Sequence, residues 1–315
     1  MQYLDFERSI KDVDAKLNKL AVAERALNDK DQLEIKRLNK KKDRLLDVAY
    51  KKLTPWQKAQ VARHEDRPHT IDYIKTIFTN FELLCGDRLS SEDAAVVGGL
   101  AKLNNQTVMV IGTEKGHDID SRILHNFGMA RPEGYNKAIR LMKLAEQFNI
   151  PIVTLVDTAG AFPGIDAEAH GQGRAIAACI EECLNVKVPV VSCIIGEGGS
   201  GGALALAAGN TVLMLQNSIY SVISPEGCAS ILWKDFKYAK KACNILHLTA
   251  QDMLTLGVIE TIIPEPAGGA HRFAEQTMEN VKVALVAALE KLQGLSQKQL
   301  VEQRHQRFLF LQKAG

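Results

Sequence analysis

An α/β fold is expected, built from repeated strand-turn-helix units with an N-terminal helical hairpin and a helical C-terminal segment. Two observations predict the core: two glycine-rich turns each follow a short apolar, β-branched run, and strand and helix periods alternate around them. A third sets the start of the chain apart, because its apolar residues repeat at three- and four-residue spacing.

In chain order, Ile10, Val13, Leu17, Leu20, Ala23 and Leu27 form one stripe; Asn28-Asp29-Lys30-Asp31 interrupts it, and Ile35, Leu38, Leu45 and Ala49 resume it. Two helices in a hairpin follow, an appendage over 1–55 ahead of a catalytic domain over 56–315. The basic run from Lys36 to Arg44 reads as a solvated helix face rather than a polyanion site. Then come a strand over 107–111, a helix over 132–148, a strand over 152–156 and a helix over 168–184. The next strand enters the main glycine turn, followed by a short helix, a strand over 212–215 and an apolar run over 219–223. Helices over 225–233, 238–246 and 250–256, a short strand over 258–263 and a long helix over 270–292 complete the pattern. Parallel strands with right-handed crossovers fit it, and periodicity alone allows either a coiled superhelix or an open sheet.

The main turn carries Gly196, Gly198, Gly199, Gly201 and Gly202 between an apolar strand and small helix-forming residues. Bare amides and a helix N-terminus suit a phosphate, an enolate or a tetrahedral oxyanion. Gly196 to Gly201 also satisfies the dinucleotide fingerprint, but no acidic residue for a ribose appears before Glu226, and no Lys-Ser or Lys-Thr closes a Walker loop. Gly198-Gly199-Ser200-Gly201-Gly202 satisfies the nucleophile elbow, so a serine hydrolase with Ser200 as nucleophile competes, drawing on His247 with Asp252 or on His271. A second loop, Asp157 to Gly164, follows the strand before it; one turn can supply an anion pocket and the other its wall. Its Asp157-Thr158-Ala159-Gly160 matches a GTPase switch only by accident, with no phosphate loop upstream. Asp157 is expected to order its own loop, and Glu197 to bond spare loop amides rather than act as a base. Lys115 and Arg131 are lesser candidates for meeting a carboxylate or phosphate.

With 46% apolar and 24% charged residues and a net charge of +2, the 315-residue chain can bury a large core. That balance argues against a dedicated nucleic-acid binder. No apolar stretch approaches the roughly 20 residues of a membrane span, and the start lacks signal-peptide character, so a cytoplasmic location is expected. Cysteines 85, 179, 183, 193, 228 and 243 form no C-x-x-C pair and read as reduced core thiols, so no metal is expected.

Five longer runs carry a family resemblance: Asn126-Phe127-Gly128-Met129 with Pro132-Glu133-Gly134-Tyr135, Asp157 to Gly164, Gly196 to Leu204, Tyr220 to Trp233, and Pro264 to Arg272. Together they resemble the alpha-subunit family of the bacterial acetyl-CoA carboxylase carboxyltransferase over nearly the whole chain, least at the amino-terminal helices. The family's second loop more commonly reads DTPGAYPG, so Ala159 and Phe162 depart from it while keeping the apolar character and glycines. The resemblance implies a crotonase-like superhelix and half of a shared active site. It implies carboxybiotin on the biotin carboxyl carrier protein, charged by biotin carboxylase, and a zinc-bearing beta subunit, in an α2β2 complex, that brings most of the acetyl-CoA site. The product would be malonyl-CoA for fatty acid synthesis. By the same likeness, the Gly201 and Gly202 amides serve the biotin oxygen, and Gly198, Gly199, Ala159, Gly160 and Phe162 line the substrate site. No side chain is required as base, since the released biotin anion can take the methyl proton. Bulk at Gly201 or Gly202 is expected to cost turnover before folding.

Overall fold

The computed structural model describes residues 2–21 and 28–311. Helices α1 (Arg8–Ala21) and α2 (Asp29–Tyr50) pack together as the N-terminal pair; Ala23 and Leu27 of the expected stripe lie outside the described residues. The polar break is a capping box: Asn28 accepts from the Asp31 amide at 3.0 Å, and the Asp31 carboxylate accepts from the Asn28 amide at 3.1 Å. The pair is tied to the far end of the chain through buried Glu7, which accepts from the Tyr50 hydroxyl at 2.8 Å and from Arg272 at 2.9 Å.

The segment after α2 was silent in the sequence reading and holds four elements: α3 (Pro55–Ala62), α4 (Thr70–Ile77), β1 (Thr79–Leu83) and β2 (Val96–Leu103). Strands β1, β2 and β3 (Gln106–Thr113) run antiparallel. The β2–β3 hairpin turns at Asn104, in the left-handed region with φ 53°, a conformation asparagine tolerates.

After α5 (Ile119–Leu124), which the sequence did not announce, the chain alternates as the periods predict: α6 (Pro132–Gln147), β4 (Ile152–Thr158), α7 (Ile165–Ala169), α8 (Gln172–Asn185), β5 (Val190–Gly199), α9 (Ser200–Ala207) and β6 (Thr211–Leu215). Then follow β7 (Ile219–Ser221), α10 (Pro225–Trp233), α11 (Ala239–Leu246), α12 (Ala250–Thr255), β8 (Thr261–Ile263), α13 (Ala274–Leu292) and α14 (Gln297–Leu311). The helix expected over 168–184 is two helices, because Gly171 sits at φ 81° between α7 and α8. Helix α14 was not foreseen.

The sheet order is β1-β2-β3-β4-β5-β6-β8, parallel from β3 onward. Alternate strand residues feed two cores. Met109, Ile111, Ile152 and Ile194 meet α6, α8 and α9, while Val108, Val110, Val153 and Val191 meet α4 and α13. Strand β5 outruns its neighbour: Val191–Ile194 pair with β6, whereas Glu197–Gly199 pair with β7. The glycine segment expected as a turn is therefore strand as far as Gly199, and the change of direction falls at Ser200. Among the described residues all six cysteines are free and five are buried. No helix there is long and apolar enough to cross a membrane, and no group of three or more potential metal ligands occurs.

Candidate functional site

The carboxyl ends of β3, β4 and β5 bring Lys115, Asp157 and Glu197 together. The Lys115 ammonium bridges the two acids, at 2.9 Å from Asp157 Oδ1 and 2.7 Å from Glu197 Oε1. Arg63, just past α3, donates through Nε to Glu197 Oε2 at 2.5 Å and through its other arm to Glu226 at 2.8 Å. His69 Nδ1 donates to Asp157 Oδ2 at 2.8 Å. Burial alone would raise both carboxyl pKa values. Lys115 and then His69 outweigh it at Asp157, and Lys115 and then Arg63 at Glu197, so both acids stay ionised below the usual carboxylate range. Burial likewise pulls Lys115 down, and the two acids more than restore its charge.

Two expectations are corrected here. The Glu197 carboxylate is taken up by cations, not by loop amides. Asp157 orders the other loop, accepting from the Glu197 amide at 2.9 Å. Lys115 proved central, whereas Arg131 stacks its guanidinium 4.3 Å above the Phe162 ring.

The two glycine loops are apposed. A Cβ on Gly199 would stand 2.1 Å from the Ala159 carbonyl oxygen, and one on Gly202 2.7 Å from the Gly160 carbonyl carbon. A Cβ on Gly201 would meet only the Ile176 side chain, at 3.3 Å. Bulk at Gly202 therefore disturbs the loop packing itself, whereas bulk at Gly201 meets only a side chain. Gly201 and Gly202 stand in the first turn of α9, whose N-cap, Gly199, offers no side-chain cap. Helix geometry leaves amides at those positions without an intrahelical acceptor. Gly198 and Gly199 belong to the β5 ladder, paired with Tyr220 and Ser221. In the upstream loop, Thr158 Oγ1 donates to the Gly160 carbonyl at 2.7 Å and accepts from its amide at 3.1 Å; the Phe162 amide bonds the Ala130 carbonyl.

Two cavities flank this junction. One of about 530 Å³ is lined by Arg63, His69, Lys115, Phe127, Ala159 and Glu197 among others. The other, of about 380 Å³, opens at Ser200 and Gly201 between apolar walls that include Leu204, Met253 and Phe308. Ser200 is exposed, with φ 54°, the sharp turn an elbow needs. Among the described residues, no histidine or carboxylate of the kind a hydrolase needs lines the cavity beside it. His271 is buried, stacked on His64 at 4.0 Å, and pushed down to about 2 by burial and then by neighbouring His64 and Arg272. His247 faces Asp252 at 3.7 Å on the α11–α12 connection.

Sequence reasoning missed Arg63 and His69. Both lie in the segment it left blank, and nothing local links Arg63 to a glutamate 134 positions away.

The fold defines a class first. The structure is similar to transcarboxylase 12S with methylmalonyl-coenzyme A bound, at a TM-score of 0.58 and 19% identity over 71% of this chain, which spans 41% of that one. It is also similar to a Pseudomonas malonate decarboxylase hetero-tetramer in complex with coenzyme A, at a TM-score of 0.56 and 14% identity, covering 71% of this chain and 90% of that one. This is the crotonase-like α/β fold. The family model described as acetyl co-enzyme A carboxylase carboxyltransferase-like matches residues 3–312, amino-terminal helices included. The chain is 54% identical to the acetyl-coenzyme A carboxylase carboxyl transferase subunit alpha of Paramagnetospirillum magneticum, over 100% of this chain and 99% of that protein. It is 54% identical to that of Gluconacetobacter diazotrophicus, over 98% and 97%. The chain belongs to the acetyl-CoA carboxylase carboxyltransferase alpha-subunit family and is a carboxyltransferase component.

Proposed function

We propose that this chain holds the carboxybiotin end of a shared carboxyltransferase site, which carboxylates acetyl-CoA to malonyl-CoA. The observation that carries the reading is the uncapped start of α9, pressed against the Ala159-Gly160 loop beside a cavity of about 380 Å³. Amides aimed from a helix start, without a competing carboxylate, suit an oxygen that gains charge as the reaction proceeds. Carboxybiotin, presented by its carrier protein, would supply the carboxyl group bound to its ureido nitrogen, and its release would leave charge on the ureido oxygen.

Gly201 and Gly202 donate to that group's oxygen, each donor contributing on the order of 3 kcal/mol, roughly a hundredfold in rate. Gly198, Gly199, Ala159, Gly160 and Phe162 shape the wall. A separate beta subunit, in an α2β2 complex, brings most of the acetyl-CoA site, and biotin carboxylase recharges the carrier. Residues 1–55 act as an appendage docked on the catalytic domain, 56–315, and the assembly works in the cytoplasm.

The test is reconstitution. The purified chain, its beta partner, carboxylated carrier and acetyl-CoA should together yield malonyl-CoA, with none formed when the beta partner is left out. Turnover by the chain alone overturns the shared site.

A further inference from the structure

We propose that Lys115 is a positioning residue for the α9 amides, acting as the cation that bridges one acid from each glycine loop in a shared buried site. The inference rests on the function proposed above and adds to it a device that sets the geometry of the donors. Asp157 begins the upstream loop, and Glu197 stands three residues before α9. Both carboxylates lie within 3 Å of one ammonium, and their side chains are 1% and 9% exposed. Without that cation the two acids face each other at short range in a poorly solvated place, and each repels the other. Proton uptake by one acid relieves part of that repulsion, and moving the loops apart relieves the rest. The same loops touch through Gly199 against the Ala159 carbonyl and through Gly202 against the Gly160 carbonyl, so a separation there displaces the start of α9.

The surrounding charges make the effect specific. Glu197 keeps Arg63, and Asp157 keeps His69 and the Glu197 amide, when Lys115 is removed. Replacing Lys115 by Met therefore adds one net negative charge to the cluster and leaves its outer partners in place. Replacing Glu197 by Gln in that background removes the excess. The new amide carries no charge, so Asp157 no longer faces a second carboxylate, and its oxygen can still accept from Arg63. Glu197→Gln alone fails differently, because its NH2 takes the place of one carboxylate oxygen and turns a donor toward Lys115 or Arg63.

A double-mutant cycle in the assembled complex with the beta partner tests this. Lys115→Met should lower kcat by about a hundredfold, with KM for acetyl-CoA unchanged, as expected for donors moved by about an ångström. Lys115→Met/Glu197→Gln should recover to within about tenfold of the unmodified complex, a positive coupling between the sites. Hydrogen–deuterium exchange of the segment 196–206 should quicken in the single variant and slow again in the double. Unchanged kcat per assembled complex in Lys115→Met overturns the proposal. So does a double variant as slow as the single one, which makes Lys115 a group acting on substrate. If the unmodified complex makes no malonyl-CoA, the function proposed above fails instead, and the exchange measurement still decides on the clamp.

Discussion

The two glycine loops end neighbouring parallel strands and look alike in composition, yet they spend their backbone polar groups in opposite ways. The upstream loop closes on itself and on α6's leading segment. Thr158 binds both polar groups of Gly160, and Phe162 donates to Ala130. The downstream loop stays in the sheet to Gly199 and then starts a helix whose N-cap residue has no side chain to cap it. One loop spends its backbone groups on itself and its neighbour, and the other begins a helix whose first amides lack an intrahelical acceptor. Glycine count therefore says where backbone can come close, not whether its amides are available.

Three measurements break or sharpen that contrast. The largest effect is expected at Gly199→Ala, whose Cβ has no room against the Ala159 carbonyl at 2.1 Å. Forced apart, the loops should lose on the order of a hundredfold or more in kcat, with a falling Tm. Gly201→Ala, with only a flexible isoleucine at 3.3 Å, should keep its Tm. Equal Tm losses for the two would mean the loops are not apposed as described.

Thr158→Val comes next. It keeps the shape and strips two hydrogen bonds from a buried Gly160, costing about 1–3 kcal/mol in denaturant unfolding. Turnover should fall about tenfold, since the wall loosens while the donors remain. A variant with wild-type stability would show that the upstream loop does not depend on its own hydroxyl.

Ser200→Ala should do least. Turnover within about threefold of the parent is expected of a residue that fills a turn and has, among the described residues, no histidine or carboxylate lining the cavity beside it. Covalent labelling by a fluorophosphonate probe that disappears in this variant would revive the hydrolase reading.

The strand-helix alternation and the position of both loops were legible because each rests on residues within a turn or two of one another. The break at Asn28–Asp31, which the structure shows to be a capping box, and the Pro-started helices at 132 and 225 are of this kind. The antiparallel strands β1 and β2 were not legible. The first has no buried residue, and the second reads Val-Val-Gly-Gly, without the alternation that marks a half-buried strand.

Sequence by itself determined that two glycine-bearing strand ends occur in an α/β chain of this family, since local periodicity and long ordered motifs carry that much. Only the tertiary structure decided that β5 would exchange β6 for β7 at Glu197, that Asp157 would bind the neighbouring loop, and that Lys115 and Arg63 would reach Glu197 from 82 and 134 positions away. The physical reason is range. Backbone propensity acts over a few residues, whereas a buried charge takes whichever opposite charge the packed chain delivers, and no local pattern records that choice.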